Sequence, residues 1–145
     1  MAEPKPVIGY TTGVYDLFHI GHLNLLKRAK DQCDELIVGV TTDKLVSYKG
    51  KRPVIPYEER VEIVRSIRYV DRVVAQTDMD KLGAWRRLGF DLVFVGDDWK
   101  GTDKWNAIEA EFQVVGVKVV YFPYTQTTTS TLITNTLHSL NHVDA

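Results

Sequence analysis

Short apolar segments of strand length alternate along the chain with segments of helical periodicity. The apolar segments are rich in β-branched residues and recur at fairly even intervals: Val7–Tyr10, Leu36–Val40, Val70–Ala75, Leu92–Val95 and Val117–Phe122. The segments between them carry apolar residues at helical spacing, as at Leu25, Leu26, Ala29 and Cys33. Strands apolar on both faces and separated by crossover helices are typical of a parallel sheet covered on two sides. The sequence therefore predicts a three-layer α/β sandwich with a five-stranded parallel sheet.

Length and composition are those of one ordinary globular domain, residues 1–145. Eighteen basic and nineteen acidic residues leave a net charge of -1, which argues against nucleic-acid or membrane binding through bulk charge. The single cysteine, Cys33, excludes an intrachain disulfide, and Val7–Tyr10 is far too short for a signal peptide or membrane span. We expect a cytoplasmic protein that holds any anion at a local site.

The strongest candidate site follows the first predicted strand, where Gly13–His22 leads into a helix over Leu23–Lys30. A helix start presents backbone N–H groups and partial positive charge, which favour phosphate. His19 and His22 can donate hydrogen bonds to phosphate oxygens, and Gly21 allows close approach. Alternatively, the two histidines are surface residues or belong to a metal pair, although a pair alone supplies only two ligands. The sequence thus predicts a phosphate-handling site and leaves any metal ligands open.

The pattern from Gly13 to His22 (GVYDLFHIGH) resembles the signature of the nucleotidylyltransferase superfamily with the HxGH motif. The nearest similarity is to bacterial glycerol-3-phosphate cytidylyltransferases, through Ser66–Asp71, Val95–Trp99 and the Thr/Ser-rich segment before the last helix. This resemblance implies a Rossmann-like fold, Mg²⁺ as cofactor, a homodimer, and transfer of CMP from CTP to glycerol 3-phosphate, a small phosphorylated alcohol. The product, CDP-glycerol, would serve teichoic-acid or capsule synthesis. The resemblance also implies that His19 and His22 are catalytic and bind the nucleotide with Val14, Tyr15, Asp16, Gly21 and Asp97.

Arg60 stands out by its place on a predicted helix that begins at Pro56. A helical wheel puts it within the apolar stripe of Ile63, Val64 and Ile67. An inward-pointing guanidinium needs a carboxylate or a bound phosphate, unless its stem packs and its head reaches solvent. A matching arginine in the resembled enzymes favours a catalytic role for Arg60.

Four other cations match family positions. Lys49 and Lys51 lie on a basic segment, residues 47–53, that reads as a mobile loop; the resemblance implies that they reach phosphate groups, with Lys49 also catalytic. Arg68, at the end of the Arg60 helix, matches an arginine that holds the nucleotide, although a cation is favoured there in any case. Lys81 matches a lysine for the acceptor phosphate.

A hydroxyl-rich segment precedes the last predicted helix. Its residues Thr125, Thr129, Ser130 and Thr131 read either as an ordinary N-cap or as a phosphate-binding helix start. Tyr124 stands where the cytidylyltransferases have an arginine that contributes charge to the triphosphate. We assign these five residues to the nucleotide.

Two other functions compete with the cytidylyltransferase prediction. One is an adenylyltransferase of the same superfamily that acts with ATP on a sugar phosphate or flavin mononucleotide (FMN). The other is a non-catalytic nucleotide sensor, which the altered segment at Tyr124 would allow. The sequence has neither a GxxxxGK[ST] phosphate loop nor a GxGxxG after the first strand, which argues against other nucleotide folds.

Overall fold

The computed structural model describes residues 5–48, 52–123 and 130–142. Within these ranges lie five strands, β1 (Ile8–Gly13), β2 (Glu35–Thr41), β3 (Arg72–Gln76), β4 (Leu92–Gly96) and β5 (Lys118–Phe122). The helices are α1 (Ile20–Asp31), α2 (Asp43–Tyr48), α3 (Tyr57–Arg65), α4 (Lys81–Leu88), α5 (Asp103–Val114) and α6 (Ser130–His142). All strands pair in parallel in the order β3-β2-β1-β4-β5, which confirms the predicted sheet. None of the helices in these ranges is long and apolar enough to cross a membrane.

The two faces of the sheet are covered by different helices. On one face Leu26 and Ala29 of α1 and Val64 of α3 pack against buried residues of β2 and β4. On the other face Ala84 of α4 and Phe112 of α5 pack against a second buried cluster around β1 and β4. This confirms the three-layer sandwich and explains why the strands are apolar on both sides.

The sheet opens along its middle. β1 stays paired with β2 as far as Gly13 and Val40, but its pairing with β4 ends at Tyr10 and Val93. One residue further along both strands, a side-chain hydrogen bond replaces the backbone pairing, since Thr11 Oγ1 donates to the Phe94 carbonyl at 2.9 Å. The halves of the sheet therefore separate at the carboxyl ends of β1 and β4, where the strand order reverses. Ligands of open α/β sheets bind at such a switch point.

The structure differs from the sequence prediction in two places. The sequence predicts that the basic loop begins at Ser47, but Ser47 lies within α2, whose first turn is held by a hydrogen bond from Leu45 N–H to Thr42 Oγ1. The Arg60 helix ends at Arg65, so Arg68 lies beyond it, and Ile63 is 38% exposed rather than part of the buried stripe. The inward face of α3 is formed by Arg60 and Val64.

Candidate active site

A crevice of about 80 Å³ lies where β1 and β4 separate. The ends of both strands line it, with Thr12 on one side, Gly96 on the other and Lys81 of α4 beside them. The walls behind are apolar and include Phe94 and Trp105. The crevice therefore has a mostly apolar interior and a polar rim.

The turn between β1 and α1 has an unusual backbone. Tyr15 and Leu17 adopt positive φ angles of 55° and 51°, a region that bulky side chains rarely occupy. Tyr15 is held there by burial, since its side chain is 5% exposed within the core and its ring lies 5.4 Å from the His22 ring. The Tyr15 ring requires a glycine at position 13, because a Cβ there would lie 2.9 Å from the ring. The predicted nucleotide contact of Tyr15 could therefore come only from its backbone, and strain of this kind is typical of functional sites.

The two histidines cap α1 reciprocally. His19 is the N-cap residue, and its Nδ1 accepts a hydrogen bond from Gly21 N–H at 3.0 Å. The His19 side chain also accepts from the backbone N–H of His22. In return, His22 Nδ1 accepts from His19 N–H at 3.2 Å. This is the geometry of a capping box in which imidazoles replace the usual hydroxyl and carboxylate.

The cap fixes the protonation state of both rings. A backbone amide can only donate, so Nδ1 of each ring must be unprotonated and the ring proton must sit on Nε2. Burial lowers the pKa of His19, and burial with the neighbouring His19 lowers the pKa of His22 to about 4. Both rings are therefore neutral at pH 7, with Nε2–H as their free donor.

The expected role of the helix start needs a correction. We expected unpaired backbone N–H groups there to bind phosphate, but those of Gly21 and His22 bond to the His19 ring. The capping box satisfies these amides and leaves the two Nε2–H groups as the donors toward an anion. Gly21 thus contributes through the cap.

The Arg60 side chain holds the turn between β1 and α1 through the Val14 carbonyl. It is fully buried and pairs with Asp43 of α2, with 2.6 Å between its NH2 group and Asp43 Oδ1. Its NH1 group donates to the carbonyls of Val14 at 2.6 Å and Thr41 at 2.8 Å, and Nε donates to that of Ile55 at 2.9 Å. The hydrogen bond from Arg60 also lowers the pKa of Asp43.

The prediction that Arg60 points inward is confirmed, and among the alternatives left open, a carboxylate, a bound phosphate or solvent, the structure shows the Asp43 carboxylate as its partner. Its role is different from the predicted one, because these bonds direct the guanidinium to the protein itself. Arg60 is a positioning residue that ties the turn between β1 and α1 to β2, α2 and the chain before α3. Asp43, its partner, was missed by the sequence analysis, although Thr-Thr-Asp is a recognisable helix start.

Asp16 connects the same turn to the chain that follows the basic loop. Its Oδ2 accepts from Val54 N–H at 2.8 Å and its Oδ1 accepts from Ile55 N–H at 2.9 Å. Both carboxylate oxygens therefore serve the protein backbone, and the nucleotide contact predicted for Asp16 stays a prediction. With Arg60, Asp16 fixes Val54 and Ile55 beside the histidine turn, only a few residues after Lys51.

The remaining predicted residues lie in several parts of the chain. Lys81 and Asp97 lie at the same edge of the sheet as the histidines, Lys81 beside the crevice and Asp97 directly after β4. Arg68 lies just before β3, at the amino ends of the parallel strands, and its NH2 group donates to the Tyr69 hydroxyl at 2.8 Å. Within one chain Arg68 is therefore at the opposite edge of the sheet from the histidines. The nucleotide contact expected of Arg68 stays a prediction.

Five predicted residues lie outside the described ranges: Lys49, Lys51, Tyr124, Thr125 and Thr129. Their assigned roles stay predictions. Ser130 and Thr131 form the first turn of α6.

Comparison with known proteins decides the family. Residues 10–141 match the cytidylyltransferase-like family. The chain belongs to the cytidylyltransferase-like family. It is 36% identical to a glycerol-3-phosphate cytidylyltransferase of Bacillus spizizenii over 94% of this chain and 99% of that protein. It is also 37% identical to an FAD synthase of Pyrococcus abyssi over 86% of this chain and 85% of that protein. These relatives indicate that this family member is a nucleotidyltransferase.

Solved structures share the fold of this cytidylyltransferase-like protein. A lipopolysaccharide core biosynthesis protein of Thermoplasma volcanium superposes with a TM-score of 0.71 at 24% identity, covering 86% of this chain and 100% of that one. A pantoate-beta-alanine ligase of Francisella tularensis superposes with a TM-score of 0.62 at 15% identity, covering 92% of this chain and 70% of that one. At these identities the likeness concerns the fold alone.

Replacement of Arg60 tests the positioning role. We expect Arg60→Met to lower the free energy of unfolding by about 3–5 kcal/mol, because three carbonyls and a carboxylate lose a buried partner. Asp43→Asn should cost about 1.5–3 kcal/mol, because the buried guanidinium loses its counter-charge and an amide NH2 group replaces one of the two oxygens that accept from Arg60 and from Tyr57 N–H. Urea unfolding followed by circular dichroism measures both values.

Arg65→Met is the matched control. Arg65 lies on the same helix with its side chain 64% exposed and pairs with Glu62 at the surface. The free energy of unfolding of Arg65→Met should therefore stay within about 0.5 kcal/mol of the wild-type value. Equal effects of Arg60→Met and Arg65→Met would contradict the positioning role.

Proposed function

We propose that this protein transfers CMP from CTP to glycerol 3-phosphate, giving CDP-glycerol and pyrophosphate. The observation that carries the proposal is the pair of neutral histidines whose Nε2–H groups remain for an anion at the carboxyl edge of the sheet. The relatives named glycerol-3-phosphate cytidylyltransferase, matched over nearly their whole length, support the substrates.

The proposed reaction needs no nucleophile from the protein. A phosphate oxygen of glycerol 3-phosphate attacks the α-phosphorus of CTP, the new P–O bond forms, and the bond to the β-phosphate oxygen breaks with its electron pair leaving on pyrophosphate. Negative charge develops on the transferring phosphoryl group and on the leaving group. His19 and His22 donate from Nε2 to these oxygens, and neutral donors held by a cap need no reorganisation as charge develops.

The acceptor is proposed to lie by Lys81 at the crevice. Lys49 and Lys51 are proposed to reach the phosphates from the loop that ends near Val54, which Asp16 and Arg60 fasten beside the histidines.

Mg²⁺ is proposed to arrive with the nucleotide. The described residues contain no group of three or more His, Cys, Asp or Glu side chains placed to hold a metal ion. Mg²⁺ commonly binds through phosphate oxygens, water and one or two carboxylates, which suits Asp97 beside a triphosphate. When bound, it neutralises triphosphate charge. The homodimer and the role of CDP-glycerol in teichoic-acid or capsule synthesis are proposed from the family resemblance. The cytoplasmic location is proposed from the single cysteine.

A second function has specific support. The archaeal FAD synthase relatives are as similar in sequence as the cytidylyltransferases, so transfer of AMP from ATP to FMN is the alternative.

Pyrophosphate release with Mg²⁺ separates the two functions. CTP and ATP are each offered with glycerol 3-phosphate, with FMN and with sugar phosphates. We expect release only with CTP and glycerol 3-phosphate. Release with ATP and FMN would overturn the proposed substrates in favour of FAD synthesis, and nucleotide binding without release from any pair would favour the sensor.

Substitutions that mimic one ring nitrogen at a time test the histidine roles. Asparagine places an acceptor near Nδ1 and removes the Nε2 donor, so His19→Asn and His22→Asn should keep the cap and lose the donor. We expect kcat to fall by about 10²–10³, with the KM for CTP and the melting temperature little changed. Steady-state kinetics and thermal unfolding measure these values.

His138→Asn, on exposed α6, is the control and should retain wild-type kcat. Equal losses in kcat and in CTP affinity for His19→Asn would contradict donation in the transition state.

A further inference from the structure

Gly39 occupies an unusual place, because glycine in the interior of a strand weakens it. It lies opposite Thr12 in the pairing of β1 with β2. A Cβ at position 39 would lie 2.7 Å from the Tyr10 hydroxyl and 3.0 Å from Thr12 Cγ2. The missing side chain therefore makes room for two side chains of β1, and the Thr12 methyl group packs over this gap.

This packing sets the orientation of Thr12. A β-branched side chain is stiff at χ1, so a methyl group held over Gly39 also fixes the direction of the hydroxyl. Thr12 Oγ1 accepts a hydrogen bond from Lys81 Nζ at 2.9 Å. Both residues line the crevice between β1 and β4. The Thr12 hydroxyl is thus a hydrogen-bond acceptor of fixed position for the flexible Lys81 side chain at the end of β1.

Lys81 stands where a cation does not help the helix. It is the first residue of α4, whose N-cap Asp80 accepts from Gly83 N–H at 2.9 Å. The positive end of a helix dipole disfavours a cation in the first turn. The Lys81 ammonium lies beside Thr12 at the crevice, where it can bind a ligand with negative charge.

We propose that Thr12 is a positioning residue that holds the Lys81 ammonium at the crevice for the acceptor's phosphate, with Gly39 providing the space that orients Thr12. This inference rests on the proposed function, because it assigns the phosphate monoester of the acceptor to that subsite. Thr12 does not contact the reacting atoms, and its effect passes through Lys81.

A double-mutant cycle tests the inference. Thr12→Val removes the hydroxyl at constant shape and should raise the KM for glycerol 3-phosphate about tenfold, as loss of a hydrogen bond to a charged group does. The kcat and the KM for CTP should stay within about twofold, since the hydroxyl aids acceptor binding alone. Lys81→Gln should raise the same KM by more. The double variant should be no worse than Lys81→Gln, because Thr12 acts through Lys81.

Thr12→Ser restores the hydroxyl and should return the KM close to wild type. Lys118→Gln removes the same charge from the opposite edge of the sheet, where Lys118 begins β5, and should leave the KM unchanged. Additive effects in the double variant, or a lower melting temperature for Thr12→Val without a change in KM, would show that the Lys81–Thr12 bond is only a structural link and would overturn the inference.

Failure of the proposed function can be told apart from failure of this inference. If wild-type protein does not use CTP with glycerol 3-phosphate, the proposed function fails. The subsite is then probed without turnover, by thermal stabilisation with inorganic phosphate. Weaker stabilisation of Thr12→Val and Lys81→Gln than of wild type and Lys118→Gln supports the subsite, and equal stabilisation of all four overturns it.

Discussion

The separation of β1 from β4 is the constraint on which the site depends. A parallel sheet built outward from its middle in both directions must open where the chain changes direction, and here the backbone pairing stops at Tyr10 and Val93. Buried apolar clusters pack on both faces of the sheet, and polar groups such as Thr12 and Lys81 lie at its carboxyl edge. Thr11 closes the gap with a side-chain bond to Phe94, and Thr12 and Gly96 line the space above.

The histidine turn is rigid because two independent sets of bonds hold it. The reciprocal cap joins His19 and His22 to the start of α1, so each ring serves local structure through Nδ1 and leaves Nε2 for chemistry. Arg60 and Asp16 hold the preceding residues against β2 and the chain before α3. A backbone with two strained residues, Tyr15 and Leu17, persists only when its surroundings determine it in this way.

The sequence allowed much of the fold to be predicted, because the strands are apolar on both faces and their spacing leaves room for crossover helices. The inward direction of Arg60 was also predictable, since a helical wheel depends only on local geometry. Its bonds to Asp43 and to three carbonyls were not, because these atoms come from segments far apart in sequence. For the same reason the role of Thr12 could not be predicted, because its hydrogen bond to Lys81 joins residues 69 positions apart. The capping role of the histidines was missed because imidazole is not among the usual N-cap groups.

The central claim is that the cap keeps both histidines neutral with the proton on Nε2. Nitrogen-15 NMR of the imidazole rings across a pH titration tests it most directly, with His19→Asn and His22→Asn used to assign the signals. The account predicts the Nε2–H tautomer for both rings at neutral pH and a pKa of about 4 for His22. An Nδ1–H tautomer, or titration of His22 near the ordinary histidine value of about 6.5, would contradict it.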